Sequence, residues 1–299
     1  MRVTGLGQCS LDHIAVLKRF PQEDTKEEAL GLAMQGGGPV ATALVALSRL
    51  GVKTSFIGMV SDDAIGAEIR RGLKAEGVDV KGLKVKKGGS SQAAFILVNP
   101  AKSSRTIIWK RPTVPPLGPK EIDLSLIRGS DLLLLDGLMA GASLEAARTA
   151  RLLGIPVMLD AGRMRPGMMK LCSLADYIVA SSEFAAGLGP GTIEAIEKLS
   201  SYNPKAVTIT LGKKGSVTSF NGKLFRQKAF KVKAVDTTGA GDVFHAGYIY
   251  GLLKNWAIEK TVEFASAFAA LKCLKAGGRA GIPTLSRTLK FMKDPAARR

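Results

Sequence analysis

Four short stretches are apolar almost throughout: Leu132 to Asp136, Val157 to Asp160, Tyr177 to Ala180 and Ala206 to Leu211. A strand with one wet face alternates apolar and polar residues. A strand apolar at consecutive positions is buried on both faces, as in a parallel sheet covered by helices. Helical spacing fills the segments between, for example Ser143 to Leu153. The N-terminal part repeats the alternation. Val3 to Gly7 reads as a strand, Pro39 to Leu50 as a helix with proline in its first turn, and Thr54 to Val60 as a strand. Asp62-Asp63 then caps a helix running to about Glu76. This order predicts an α/β fold on a mostly parallel sheet.

Two stretches break the order. His13 to Phe20, and Ser91 to Asn99 followed by Arg105 to Lys110, read as β-ribbon. Ile14 to Leu17, Phe95 to Val98 and Thr106 to Trp109 are apolar on consecutive positions, so both faces of such a flap are apolar. One face is expected to close over a ligand. The other is expected to be covered by a second copy of the chain, giving a homodimer.

Hydrophobic content of 46% and charged content of 23% exclude wholesale disorder. No stretch approaches the ~20 apolar residues of a membrane span. The first residues run straight into a strand-like segment without a signal-peptide pattern. Cys9, Cys172 and Cys273 lie far apart and form no CxxC or zinc spacing, so a reduced, cytoplasmic protein is expected. The net charge of +18 comes from scattered residues: Lys81, Lys84, Lys86 and Lys87, then Lys213 and Lys214, then Lys228, Lys231 and Lys233, and a tail ending Arg298-Arg299. Aromatic residues do not interleave with them. A solvated basic surface is expected rather than a nucleic-acid partner.

Gly5-Leu6-Gly7 resembles the start of a dinucleotide loop, but the third glycine is missing and β-like residues follow. His13 and His245 have no third metal ligand nearby in sequence and read as surface or packing histidines. The informative stretch is Asp236-Thr-Thr-Gly-Ala-Gly-Asp-Val-Phe-His-Ala-Gly247. Gly239 and Gly241 let backbone N–H groups converge, and a helix from about Gly241 to Lys254 adds its positive end. That is an anion hole suited to a transferring phosphoryl group. Asp242 beside it would repel a phosphate, so it suits a different task, deprotonating an attacking hydroxyl.

This stretch resembles the C-terminal signature of the PfkB/ribokinase family of sugar and nucleoside kinases. Gln35-Gly36-Gly37-Gly38-Pro39-Val40-Ala41-Thr42 resembles the N-terminal signature. Thr210 to Gly215 resembles the strand and turn under ATP, and Gly277 to Pro283 the C-terminal loop. The resemblance implies one ribokinase-like three-layer α/β/α domain over 1–299, with a β-lid from about 12–36 and 88–112. It implies ATP-dependent phosphorylation of a sugar hydroxyl, with Mg2+ and, in some members, K+. Asp242 is implied as the base, with Gly239, Ala240 and Gly241 as the anion hole. Asp12, Gly37, Gly38 and Thr42 are implied on the sugar, and Thr210, Gly212, Gly215 and Ser266 on ATP. Asp236 and Thr238 match a monovalent-cation site. Glu183 falls where an acid is linked to magnesium, although Ala180-Ser181-Ser182-Glu183 departs from the family's Asn-x-x-Glu.

The Gly-Gly-Gly-Pro form, the Asp-Val-Phe-His run and Gly-Gly-Arg-Ala-Gly-Ile-Pro look most like the sulfofructose kinase branch, and Phe20 to Asp24 like ketohexokinases. Lys26 falls where a sulfofructose kinase places an anion-binding lysine; its usual companions are replaced by Trp109 and Leu138. Arg165-Pro166 resembles a pair in fructokinase and ketodeoxygluconate kinase relatives. The expected activity is phosphorylation of a primary hydroxyl of a small, ketose-like sugar, with a neutral and an acidic sugar both left open. The alternatives are a nucleoside kinase, or a non-catalytic nucleic-acid-binding or sugar-sensing protein on the same fold.

Overall fold

The computed structural model describes residues 1–298; Arg299, the last of the basic tail, lies outside the described residues. The strands are β1 (Arg2–Leu6), β2 (Ser10–Val16), β3 (Gly31–Gly37), β4 (Lys53–Ser61), β5 (Val78–Asp79), β6 (Leu83–Lys86) and β7 (Ala93–Asn99). They continue with β8 (Ser104–Lys110), β9 (Leu132–Leu135), β10 (Val157–Ala161), β11 (Tyr177–Ser181), β12 (Ala206–Thr210), β13 (Ser216–Phe220) and β14 (Lys223–Gln227).

The larger sheet runs β14-β13-β12-β11-β10-β9-β1-β4-β5, with β6 also on β4. Pairing is parallel from β12 to β5 and antiparallel only through β13 and β14. Strand β9 shows why. Leu132 and Leu134 enter the core on one face and Leu133 and Leu135 the core on the other, all at most 1% exposed. Truncating one of them to alanine would cost about 2–5 kcal/mol. The first core holds the helices Pro39–Arg49, Ala240–Leu253 and Ile258–Lys272; the second holds Ala140–Leu152 and Thr192–Ser200. The helix Ala240–Leu253 is buried at every position from Val243 to Gly251, as suits a helix apolar all round.

A second sheet of four strands has the order β3-β2-β7-β8. Its register puts Ile14, Ala94, Ile96 and Val98 in a small buried cluster on one face. His13, Met34, Phe95 and Ile108 share the opposite face, where Met34, Phe95 and Ile108 are 56–61% exposed. The two faces are therefore unequal, although both are apolar. Two boundaries differ from the sequence reading. The ribbon expected over His13 to Phe20 is Ser10–Val16, because Lys18 and Arg19 turn out to solvent ahead of Pro21. Strand β3 lies within the 12–36 lid stretch that the resemblance implies, but its residues do not read as a strand, since three of the seven are glycine, a residue depleted in strands. The three cysteines are buried free thiols. Among the described residues no helix is long and apolar enough to cross a membrane.

Candidate active site

Gly239 is the N-cap of the helix Ala240–Leu253 and takes a left-handed φ of 73°. A Cβ there would lie 2.9 Å from Gly278 Cα and 3.0 Å from its carbonyl oxygen, so the turn packs directly on the Gly277–Gly281 loop. Gly241 differs: a Cβ there would meet no atom within 4 Å. Of the first-turn N–H groups, which lack intrahelical acceptors, that of Ala240 donates to Thr237 O at 3.2 Å.

Asp242 stands in the same first turn, half-buried. Desolvation raises its pKa well above the usual carboxylate value. The Asp160 and then the Asp12 carboxylates act in the same direction, and Lys272 and Arg279 oppose them. A raised pKa makes the carboxylate a stronger base. Asp160 ends strand β10 and is itself raised by burial, with His245 acting against. Asp136, just past β9, accepts from Gln8 N at 2.8 Å and Leu138 N at 3.0 Å, and burial pushes it up to about 7. His245 is no surface histidine. It is 5% exposed, Nδ1 donates to Gly241 O at 2.7 Å, and Nε2 lies 3.6 Å from Asp160 Oδ1. It holds the cradle turn from one helical turn below.

Across from this turn, Asp12 on β2 is 7% exposed and accepts from Ser10 Oγ at 2.7 Å. Its carboxyl lies over Gly37, where a Cβ would strike it. Burial raises its pKa, with Ser10 and Arg279 acting against. Gly38 caps the helix Pro39–Arg49 at φ 94°, and Thr42 is buried one turn on. The same Gly277–Gly281 loop ties both sides together. Gln35 Oε1 accepts from Arg279 N at 3.1 Å and Ala280 N at 3.2 Å, and the buried Arg279 donates to Gly37 O at 3.2 Å. The β7–β8 turn also reaches the cradle segment: Ser103 Oγ donates to Ala234 O and Arg105 to Thr237 Oγ1, each at 2.6 Å.

The Asp236 carboxylate is fully buried. Oδ1 accepts from Thr238 N at 2.8 Å and Thr238 Oγ1 at 2.7 Å, and Oδ2 from Gly277 N at 2.7 Å. Lys272, 0% exposed, donates from Nζ to Asp236 O at 3.1 Å. Burial lowers its pKa, and Asp236, Cys273 and Asp242 act against that.

The remaining residues are more dispersed. Thr210 ends β12 and donates to Ala180 O at 3.2 Å, and Gly212 and Gly215 form the left-handed turn that follows. Ser266 is buried on the helix Ile258–Lys272, and no hydrogen bond among the described residues links it to that turn. Glu183 is exposed and pairs with Arg163 at 2.9 Å, so each of these charges has a partner. Lys26 is exposed in the segment joining β2 to β3, and Arg165 is half-buried after β10. A cavity of about 180 Å³ at the carboxyl ends of β1 and β9 is lined by Gln8, Gln92, Arg111 and Leu138, among others. The Arg111 guanidinium sits over the Trp109 ring at 5.0 Å. A larger hollow lined by Asp176 and Lys205 lies at the amino ends of β11 and β12, the edge that open α/β sheets do not use for ligands. The sequence reading missed Asp160, His245, Gln35, Arg279 and Lys272. His245 carried a signal, since it lies four residues past Gly241 on the same helix, and Gln35 and Arg279 fall inside the two glycine-rich motifs, although neither was given a role.

The profile of the pfkB family carbohydrate kinases matches residues 2–285. An ATP-dependent ribose-1-phosphate kinase of Halopiger xanaduensis is 29% identical over 98% of this chain and 99% of its own length. A 5-dehydro-2-deoxygluconokinase of Clostridium perfringens is 30% identical over 86% of this chain and 83% of its own. Among solved structures, Arabidopsis thaliana ribokinase, complexed with ribose and ATP, shares the fold with a TM-score of 0.83 at 24% identity, covering 98% of both chains. An Escherichia coli protein described as a ribokinase II, in complex with ATP and Mg2+, does so with a TM-score of 0.85 at 21% identity, covering 98% of this chain and 99% of its own. The match runs along nearly the whole chain, and the chain belongs to the pfkB family of ATP-dependent carbohydrate kinases.

Proposed function

We propose that this chain transfers the γ-phosphoryl group of ATP to a primary hydroxyl of a small, ketose-like sugar bearing an anionic group. The observation that carries the reaction is the joint position of Asp242 and Asp12. The first sits at a helix start beside an open cradle, and the second is close enough on the small sheet to raise its pKa. Asp12, with the backbone of Gly37 and Gly38 and with Thr42, holds the sugar hydroxyls. Asp242 takes the proton of the attacking hydroxyl, whose oxygen then bonds to phosphorus as the bond to ADP breaks. The N–H groups of Gly239, Ala240 and Gly241 stabilise the charge on the moving phosphoryl. Thr210, Gly212, Gly215 and Ser266 serve the nucleotide. The site suits Mg2+, which takes one or two carboxylates together with substrate phosphates. The Asp160 carboxylate is close enough to raise the pKa of Asp242, and Asp160, with Glu183 acting through water, would hold the ion. When bound with ATP, Mg2+ neutralises phosphate charge.

The anionic substrate is supported by Arg111, which lines the cavity at the carboxyl ends of β1 and β9; we assign Lys26 and Arg165 to the same substrate from their motif positions, and Arg163 is engaged by Glu183. The names of two relatives also denote charged sugars, ribose 1-phosphate and a keto-sugar acid. The motifs that look like the sulfofructose kinase and ketohexokinase branch gain no support from the relatives found, which include ribokinases, a ribose-1-phosphate kinase, 5-dehydro-2-deoxygluconokinases and a fructokinase. With Trp109 and Leu138 at the companion positions, a carboxylate or phosphate is favoured over a sulfonate. The four-stranded sheet acts as a lid over the sugar, and its outer apolar face pairs two copies into a dimer.

The test is ADP release with fructose, ribose, ribose 1-phosphate, a keto-sugar acid and adenosine. A charge-assisted hydrogen bond of about 1.5–3 kcal/mol predicts an acidic sugar ahead in kcat/KM by at least about tenfold. Lys26→Met, Arg111→Met or Arg165→Met should erase that lead. A neutral sugar turned over best, indifferent to all three changes, would leave a plain ketose kinase. Adenosine turned over best would replace this reading with a nucleoside kinase.

A further inference from the structure

The resemblance to ribokinases implies a monovalent cation held by Asp236, Thr238 and the Gly277–Gly281 loop. The residues present do not fit an added ion. The Asp236 carboxylate already accepts three hydrogen bonds from the chain, two from Thr238 and one from Gly277 N. An internal cation is already in place: the Lys272 side chain, 0% exposed, ends 3.1 Å from Asp236 O. Lysine is almost never fully buried without a partner, and the charges acting on this one include the Asp236 and Asp242 carboxylates. Arg105, held at Thr237, adds positive charge from the other side. A further ion beside these two would meet like charge where water cannot screen it.

We propose that Lys272 is the resident monovalent cation of this active site, holding the Asp236 segment against the Gly277 loop, so that turnover needs no added K+. The ammonium is delivered by the last residue of the helix Ile258–Lys272, whose burial fixes it in place. It is a positioning residue: it acts on the cradle through Asp236 and the two hydroxyl and amide bonds of Thr238. The inference rests on Gly239 to Asp242 being the phosphoryl site, so its test has one readout that does not depend on turnover.

Wild type and Lys272→Met are compared in KCl and in tetramethylammonium chloride at equal ionic strength. The measurements are melting temperature, and ATP-dependent turnover with ribose, fructose and a keto-sugar acid. The wild type should melt at the same temperature in both salts and turn over within about twofold. Lys272→Met should melt lower in tetramethylammonium than in KCl. Its kcat should fall by at least about tenfold in tetramethylammonium and recover in part with K+ or NH4+. A wild type stabilised by K+, or activated about tenfold by it, overturns the proposal whether or not the variant folds. A folded Lys272→Met that turns over like wild type in tetramethylammonium also overturns it. If no sugar is phosphorylated, the melting temperatures alone decide, and the failure belongs to the substrate reading.

Discussion

The cradle turn Gly239 to Asp242 and the strands β2 and β3 both rest on the Gly277–Gly281 loop, yet they are built in opposite ways. Behind the cradle lies a helix buried at nine consecutive positions, so that side is fixed by the main core. Behind the small sheet lies no core. Leu32 is 80% exposed and Met34, Phe95 and Ile108 are 56–61% exposed on its far face. The comparison teaches a division of labour. In our proposal the reacting phosphoryl is positioned by packing the chain completes alone, and the sugar by a sheet held through a few hydrogen bonds and a second copy.

The largest effects separate the two cradle glycines. Gly239→Val strains a left-handed residue and drives a side chain into Gly278, so it should lose folded protein outright. Gly241→Val adds its side chain in open space and should fold, with melting within a few degrees of wild type. It should lose about 10²–10³ in turnover, the scale set by losing an anion-hole hydrogen bond, because the branched side chain would keep phosphate oxygens off the backbone donors. A folded, fully active Gly241→Val would remove the cradle from the account.

The next effect concerns the outer sheet face. Phe95→Glu should convert a micromolar dimer to monomer in sedimentation, since a buried aromatic anchor is worth about 2 kcal/mol or more, roughly thirtyfold in Kd. KM for the sugar should rise more than kcat falls. Ile14→Glu, on the inner face at 2% exposure, should instead unfold the sheet. A wild type that sediments as a monomer would leave the outer face unexplained and break the comparison.

The smallest effect is in pH. Asp242 must be ionised to act as a base, and its pKa is raised, so kcat/KM should fall with acid at a pH above the usual carboxylate range. The Asp160 charge contributes to that elevation. Asp160→Asn should therefore move the acid limb to lower pH, by about one unit or less. An acid limb that does not move, or moves upward, would mean that burial alone sets the value.

Much of the fold was legible because buried parallel strands leave consecutive apolar residues, as in Leu132 to Leu135. The cradle was legible because its residues are neighbours in sequence. What stayed hidden is tertiary. Arg279 falls in the C-terminal loop motif, but only the fold puts its guanidinium on Gly37 O. Lys272 reads as an ordinary lysine at a helix C-terminus, where it would suit the helix dipole, and only packing shows it without water. Gln35 sits among strand-poor glycines, so neither β3 nor its bonds to the loop could be inferred. Glu183, which we place at the metal through water, also shares its carboxylate with Arg163, a pairing no local pattern encodes.

The central claim is that Asp242 is the base at a cradle otherwise complete without it. Single-turnover transfer by Asp242→Asn, measured with ATP and sugar affinities on the same protein, tests it most directly. The account predicts a transfer rate lower by about 10²–10⁴ with both affinities changed by less than about threefold. Transfer retained at more than about a tenth of the wild-type rate would contradict it.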